Sequence, residues 1–346
     1  MKTRNKIVSL ALASALLTTS AFSQVTVSGY VETSIFSGDT KGATNATVAT
    51  KSIGNESVIR LAGTGKMPTG ENASFYIQVD SDNSGIIHER GLDVGIVKDL
   101  TFNYGFDRAM GSEIARTLTP FATNRITDVS QTNASSDFQD VTSGEHAIGI
   151  TFSNFAGAGS AFSVAFAPNM DSATGTSSDG LTNTSSQTGY GAGVKISPIA
   201  GLTVGAGYTK ADSKNSANQD LTSKTLGFTF AKAPFAIGAQ RVVTDGQKAA
   251  VAATTPSEDK INILSATYSV TKDITLGYAH SDMERTRTTN SADDAKVNTF
   301  SLAYNLGPVV LSLDHERAEN VAIASTSNNV TGNDTNLTKA KVRVAF

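Results

Sequence analysis

Residues Thr335 to Phe346 read Thr-Asn-Leu-Thr-Lys-Ala-Lys-Val-Arg-Val-Ala-Phe. Successive side chains of an extended chain point to opposite faces, so Ala340, Val342, Val344 and Phe346 share one face and Lys339, Lys341 and Arg343 the other. One face suits hydrocarbon and the other needs water. Chain ends fray unless something ties them down, yet this one stops on its most hydrophobic side chain. The pattern predicts a final strand held by a pairing partner, and a closed sheet leaves only the first strand for that role.

The same alternation recurs from Gln24 onward in segments of roughly ten residues. Val25, Val27, Val31 and Ile35 oppose Thr26, Ser28, Tyr30 and Glu32, and Phe75, Ile77 and Val79 oppose Tyr76, Gln78 and Asp80. In the second half one unit repeats: Leu226, Phe228 and Phe230, a turn at Lys232-Ala233-Pro234, then Phe235, Ile237 and Ala239. It returns as Leu264, Ala266 and Tyr268 before Ile274, Leu276 and Tyr278, and again as Phe300, Leu302 and Tyr304 before Val309, Leu311 and Leu313. Short turns such as Met67 to Gly70, Lys98-Asp99, Pro198 to Gly201 and Gly307-Pro308 alternate with long polar stretches. The long ones include Ser37 to Glu56, Arg108 to Ser143, Asn169 to Thr188 and Glu319 to Asp334, rich in Asn, Ser, Thr and Asp.

About sixteen such segments, with short turns at one end and long loops at the other, predict an all-β fold: a transmembrane up-and-down antiparallel β-barrel. Soluble sandwiches lack this long-short rule. Ten residues at about 3.3 Å each, tilted near 45°, rise roughly 23 Å, close to the apolar band such barrels present to lipid. An open edge in hydrocarbon would leave N–H and C=O groups unpaired at several kcal/mol apiece, so the first and last strands must meet. A barrel of this width is too wide for side chains to fill, and it holds water. Tyr104, Tyr208, Tyr268, Tyr278, Tyr304 and Phe346 fall near strand ends, where interfacial aromatic girdles form.

Residues 1–23 have the layout of an export signal: Lys2, Arg4 and Lys6, an apolar run from Ile7 to Leu17, then Ala21-Phe22-Ser23. The barrel is expected over 24–346, with 108–143 as an excursion long enough to have a role of its own. The 28 Lys and Arg against 31 Asp and Glu form no basic tract, which argues against nucleic acid as a partner. There is no cysteine for disulfides or thiol chemistry. His88, His146, His280 and His315 show no metal-ligand spacing and no nucleophile elbow is present, so neither enzyme chemistry nor a cofactor or metal is expected.

Three stretches resemble the Gram-negative general porins of beta-proteobacterial type: Ser20-Ala21-Phe22-Ser23-Gln24 leading into Val25 to Val31, the segment Ser57-Val58-Ile59-Arg60-Leu61-Ala62-Gly63, and the terminal Phe346. The resemblance implies a homotrimer of sixteen-stranded barrels in the outer membrane, among its lipid and lipopolysaccharide. It also implies a third loop folded inward, here 108–143, and a C-terminal signal (Phe346 with Val344 and Val342) recognised by the barrel-assembly machinery. The family's Pro-Glu-Phe-Gly-Gly stretch is replaced in that loop by Leu118-Thr119-Pro120-Phe121-Ala122.

In a narrow wet passage, lining charges focus their field on the passing ion. Parity assigns Arg60, Lys195, Lys339, Lys341 and Arg343 to the lumen, with Glu32, Asp80, Asp93, Asp107, Asp314 and Glu316. The loop adds Glu113, Asp128, Asp137 and Asp140 against Arg116 and Arg125. These groups either set a transverse field or neutralise one another in place. The expected function is a water-filled porin for passive, charge-biased diffusion of small hydrophilic solutes and ions. A substrate-specific channel, or a secreted β-rich adhesin, is the alternative.

Overall fold

The computed structural model describes residues 24–41, 47–80, 86–106, 110–116, 118–121, 147–168, 188–212, 220–245, 257–287, 294–321 and 333–346. The first eight strands are β1 (Gln24–Lys41), β2 (Thr47–Lys66), β3 (Asn72–Asp80), β4 (Ile86–Val97), β5 (Leu100–Phe106), β6 (Ala147–Ser153), β7 (Ala161–Ala167) and β8 (Thr188–Ile199). The second eight are β9 (Leu202–Asp212), β10 (Leu221–Lys232), β11 (Phe235–Asp245), β12 (Ser257–Ser269), β13 (Ile274–Arg287), β14 (Ala295–Leu306), β15 (Val309–Val321) and β16 (Asn333–Ala345). Each pairs antiparallel with its sequence neighbour, and β1 pairs with β16 to close the barrel. A short 3-10 helix, Gly111–Ala115, lies between β5 and β6.

Closure occurs where the terminal segment required it. Val31 faces Val344 and Thr33 faces Val342. The last residue is clasped by its backbone: Phe346 N–H donates to the Gly29 carbonyl at 3.0 Å and Gly29 N–H to the Phe346 carbonyl at 3.1 Å. The Phe346 ring lies across Gly29 so closely that a Cβ there would sit 2.7 Å from the ring.

Polarity is inverted relative to a water-soluble sheet. Leu226 is 61% exposed and Phe300 57%, whereas Ser223, Thr299 and Asp314 are 0%, 2% and 0% exposed. Large apolar side chains on the outside and small polar ones within match a barrel surrounded by hydrocarbon. All five tyrosines singled out from the sequence face outward, and rings meet across strands, as Phe235 on Tyr268 at 4.8 Å and Tyr278 on Phe300 at 4.9 Å.

Three expectations need correction. Within the stretch expected as a loop from Ser37 to Glu56, residues 37–41 and 47–56 extend the first hairpin, in unbroken register from Gln24 opposite Thr64 to Lys41 opposite Thr47. Above the apolar band nothing demands greasy side chains, so small and polar residues continue the ladder there, with Gly38 opposite Thr50 and Thr40 opposite Val48. For the same reason β15 runs on to Val321 and β16 starts at Asn333, inside the stretch expected as a loop. Pro198 and Ile199 belong to β8 rather than to a turn, with a register irregularity between Ile196 and Ile199 that accommodates the proline.

Gly29→Val would place two methyls where the Phe346 ring lies. The expected outcome is a lower temperature for loss of the compact, fast-migrating form on unheated gels, by several degrees or more. Mobility equal to wild type at every temperature would show that the terminal clasp is dispensable.

Candidate permeation path and its constriction

Cross-strand partners share a face, which fixes what each strand turns toward the lumen. Glu32 stands opposite Arg343, Ser34 opposite Lys341 and Phe36 opposite Lys339, while Ser28 stands opposite Arg60. On this wall charges are layered. Arg343 Nε donates to Glu32 Oε2 at 2.8 Å and Lys341 Nζ lies 3.5 Å from the same oxygen. The side chains of Glu32 and Lys341 are 5% and 8% exposed, that of Arg343 38%. Asp314 and Glu316 are buried, and Thr299 Oγ1 donates to Glu316 at 3.4 Å.

The half-exposed cations rest on aromatic rings. The Arg343 guanidinium lies 4.0 Å over Tyr30, Arg60 3.9 Å over Tyr76, and Lys339 Nζ 4.9 Å over Phe36. The Tyr30 hydroxyl in turn donates to Glu56. A guanidinium covered on one face by a ring keeps its N–H edge for the water side. Carboxylates thus lie low in the wall and ring-backed cations lie above them.

Across the lumen, residues 110–116 and 118–121 pack against the inner faces of β6 to β11. Gly111 N–H donates to Ser163 Oγ at 2.8 Å. Gln240, on β11, grips the chain twice: its Oε1 accepts from Leu118 N–H at 3.1 Å and its Nε2 donates to the Arg116 carbonyl at 2.8 Å. The same amide donates to Thr225 Oγ1 at 2.8 Å, and Thr229 Oγ1 donates to the Leu118 carbonyl. The close fit needs glycine beneath it. A Cβ on Gly193 would lie 2.6 Å from the Gly111 carbonyl oxygen, and one on Gly238 2.7 Å from Pro120 Cδ.

Two inner-wall features were not expected. The inward face is not polar throughout: Val242, Ile261, Ile263, Met283 and Val297 form a buried apolar cluster on β11 to β14, and Phe121 packs against it. Opposite it, a hydrogen-bonded ladder crosses five strands. Ser74 Oγ donates to Asp93 at 3.3 Å, Asn103 Nδ2 to Asp93 at 2.5 Å, Thr151 Oγ1 to Asn103 Oδ1 at 2.7 Å, and Thr151 meets Ser163 at 2.9 Å. Ser163 is also the acceptor for Gly111, so this ladder reaches the loop.

Of the residues singled out from sequence, Arg60, Lys195, Asp80, Glu32, Lys339, Lys341 and Arg343 lie on strands with inward register. Arg116 is half-buried within the loop. Glu113 lies in the 3-10 helix; its side chain, together with Asp107, Arg125, Asp128, Asp137 and Asp140, falls outside the described residues. Val342, Val344 and Phe346 face outward at 45%, 42% and 61% exposure. Gln240, Thr225, Thr229 and Ser163 were missed. Their only sequence signal is a short polar side chain among inward-facing positions, and dozens of residues share it.

A closed antiparallel barrel with apolar skin, charged inner wall and a loop strapped inside defines a transmembrane diffusion channel. The sequence matches the Gram-negative porin family over residues 9–340, and the chain belongs to that family. It is an outer-membrane porin, and that family consists of channels rather than enzymes. No functionally curated protein matches the sequence. Among solved structures, the anion-selective porin from Comamonas acidovorans superposes with a TM-score of 0.69 at 15% identity, covering 93% of this chain and 99% of that one. The outer membrane channel DcaP of Acinetobacter baumannii gives 0.65 at 10% identity, covering 93% and 97%. The Salmonella typhi OmpF complex with daunomycin gives 0.62 at 11%, with the same coverage. The secreted-adhesin alternative finds no support.

Replacing Gln240 by Ala removes three hydrogen bonds, each worth about 0.5–1.5 kcal/mol net. The expected result in planar bilayers is noisier open-channel current and closure at lower voltage than wild type, with trimer or monomer mobility on gels unchanged. Identical current traces would show that Gln240 does not hold the loop.

Proposed function

We propose that the channel passes small hydrophilic solutes by diffusion and favours anions. The observation that carries this reading is the layering of the β16–β1–β2–β3 wall: the carboxylate of Glu32 is buried, while Arg343, Arg60 and Lys339 stand above on aromatic supports. A passing ion meets the outermost charge first and through the least intervening protein, so the cations dominate the field it feels. A solved structure of similar fold is itself described as an anion-selective porin, which agrees with this polarity. Residues 108–143 act as the constriction, supported by the seat that Gln240 and Ser163 give to their first part.

The partners follow from the outer surface. Among the described side chains of β15, β16, β1 and β2, the terminal Phe346 is the outward Phe or Tyr, since Tyr30 and Phe36 turn inward. Outward rings stud β5 to β14 instead, among them Tyr104, Phe162, Tyr208, Phe235, Tyr268 and Tyr304. Aromatic girdles mark contact with the membrane interface. The ring-poor sector is therefore where neighbouring copies meet in a homotrimer, and the ringed sector faces lipid and lipopolysaccharide. Residues 1–23 serve as the export leader, and Phe346 with Val344 and Val342 present the signal read by the barrel-assembly machinery.

A second reading, a substrate-specific channel, draws on the same stacked cations, which form the beginnings of an aromatic and cationic track. Saturation of current at millimolar concentrations of one organic anion would favour it; linear flux up to molar concentration would favour simple diffusion.

With Arg60→Gln and Arg343→Gln combined, Glu32 keeps its contact with Lys341, and reversal potential in a salt gradient should move toward cations, with the chloride-to-potassium permeability ratio falling at least two-fold. An unchanged ratio in a correctly folded variant would reject these residues as the source of selectivity.

A further inference from the structure

The hydrogen-bonded ladder on the inner wall has a direction, and the direction can be read bond by bond from Asp93, half-buried on β4. A carboxylate accepts and does not donate, so Asn103 turns its Nδ2 to Asp93 at 2.5 Å and keeps Oδ1 for the other side. Thr151 Oγ1 donates to that Oδ1 at 2.7 Å. A hydroxyl has a single proton, and Thr151 has used it, so the 2.9 Å contact with Ser163 runs from the Ser163 hydroxyl to Thr151 Oγ1. Ser163 Oγ, its own proton committed, accepts from Gly111 N–H at 2.8 Å. Four bonds in series thus point the same way, from the loop to the carboxylate.

Register makes the path possible. Asn103 stands opposite Asp93 on one side and Gly149 on the other. Gly149 has no side chain, and the Asn103 amide reaches past it to Thr151, the next inward residue of β6, which stands opposite Ser163. At the far end the main chain is pressed against the wall. Gly111 is buried with φ at 61°, and a Cβ on it would lie 2.6 Å from Ala165 Cβ and 3.0 Å from the Gly191 carbonyl oxygen. Met110 beside it is sunk among Ala147, Ala165, Ala167, Ala211 and Leu221. The Gly111 N–H therefore faces protein rather than water, and Ser163 Oγ is its acceptor. Asn103 and Ser163 are 6% and 0% exposed, and in such surroundings each bond polarises the next, strengthening it by roughly 10–30%. An anion at the accepting end pulls in the same direction.

We infer that Asp93 is a positioning residue for the constriction: through Asn103, Thr151 and Ser163 it fixes the root of the loop at Gly111, three strands and roughly 14 Å of sheet away. Its charge orients the relay, and the relay holds the loop. This grip is separate from that of Gln240, which takes the chain at Arg116 and Leu118 from β11. The inference rests on residues 108–143 acting as the constriction.

The test is the closure rate of single channels of the full-length assembly in planar bilayers at one fixed voltage. Asp93→Asn keeps the shape and removes the charge; Thr151→Val keeps the charge and cuts the relay. Each should close at least three-fold faster than wild type, and the double variant no faster than the quicker single one, because both break the same chain. Thr151→Ser, which keeps the hydroxyl, should close at the wild-type rate. The ratios should be alike in about 0.1 M and about 1 M salt, although the Debye length falls from about 10 Å to about 3 Å between them. A wild-type rate for Thr151→Val, multiplied effects in the double variant, or an Asp93→Asn ratio that vanishes at the higher salt would overturn the relay and leave Asp93 a plain lumen charge. Heat-modifiable mobility equal to wild type shows that a variant is assembled; if Asp93→Asn does not assemble, Thr151→Val against Thr151→Ser decides alone. A response to Gln240→Ala with none to Thr151→Val removes the relay only, whereas silence of both marks failure of the constriction reading itself.

Discussion

The hydrocarbon interior of a bilayer offers no water to a backbone N–H or C=O, so a sheet can cross it only if every edge is paired. That single constraint makes the first and last strands neighbours, and much else follows from their meeting. The clasp between Phe346 and Gly29 ties down a chain end that would otherwise fray. Closure sorts each strand into an outside and an inside, and the alternating sequence fills the two faces with opposite chemistry.

Inside, the wall is divided. One half holds a ladder of buried polar groups and the ring-backed cations of β16 and β1 to β3; the other holds an apolar patch on which Phe121 rests. A loop lying in a water-filled lumen must be attached by specific contacts, since nothing forces it against the wall. Gln240 satisfies two backbone groups of that loop, and Gly193 and Gly238 let the main chain come close enough for such short contacts.

The fold was legible because its signal is repeated and local. Val342, Arg343 and Val344 already state which way each face turns, and the Gly307-Pro308 and Lys98-Asp99 turns mark one rim. The extension of the first hairpin over residues 37–41 and 47–56 was not legible, because above the membrane both faces are wet and the alternation that reveals a strand disappears. Nor was the loop seat. Gln240 bonds to Arg116, 124 positions away, and its own strand gives no sign of this. The inner cluster at Val242 and Ile261 was hidden for a related reason: its apolar residues look inward toward a loop, contrary to the rule that holds elsewhere on the barrel.

The central claim is that neighbouring residues of the last strand see water and lipid in turn. The natural sequence contains no cysteine, so Lys339→Cys through Val344→Cys, one at a time, can be probed in intact outer membranes with a charged, membrane-impermeant maleimide and with a lipid-soluble one. Positions 339, 341 and 343 should react with the first reagent and 340, 342 and 344 with the second. Reaction in the reverse order, or labelling of all six alike by the charged reagent, would contradict the inside-out barrel described above.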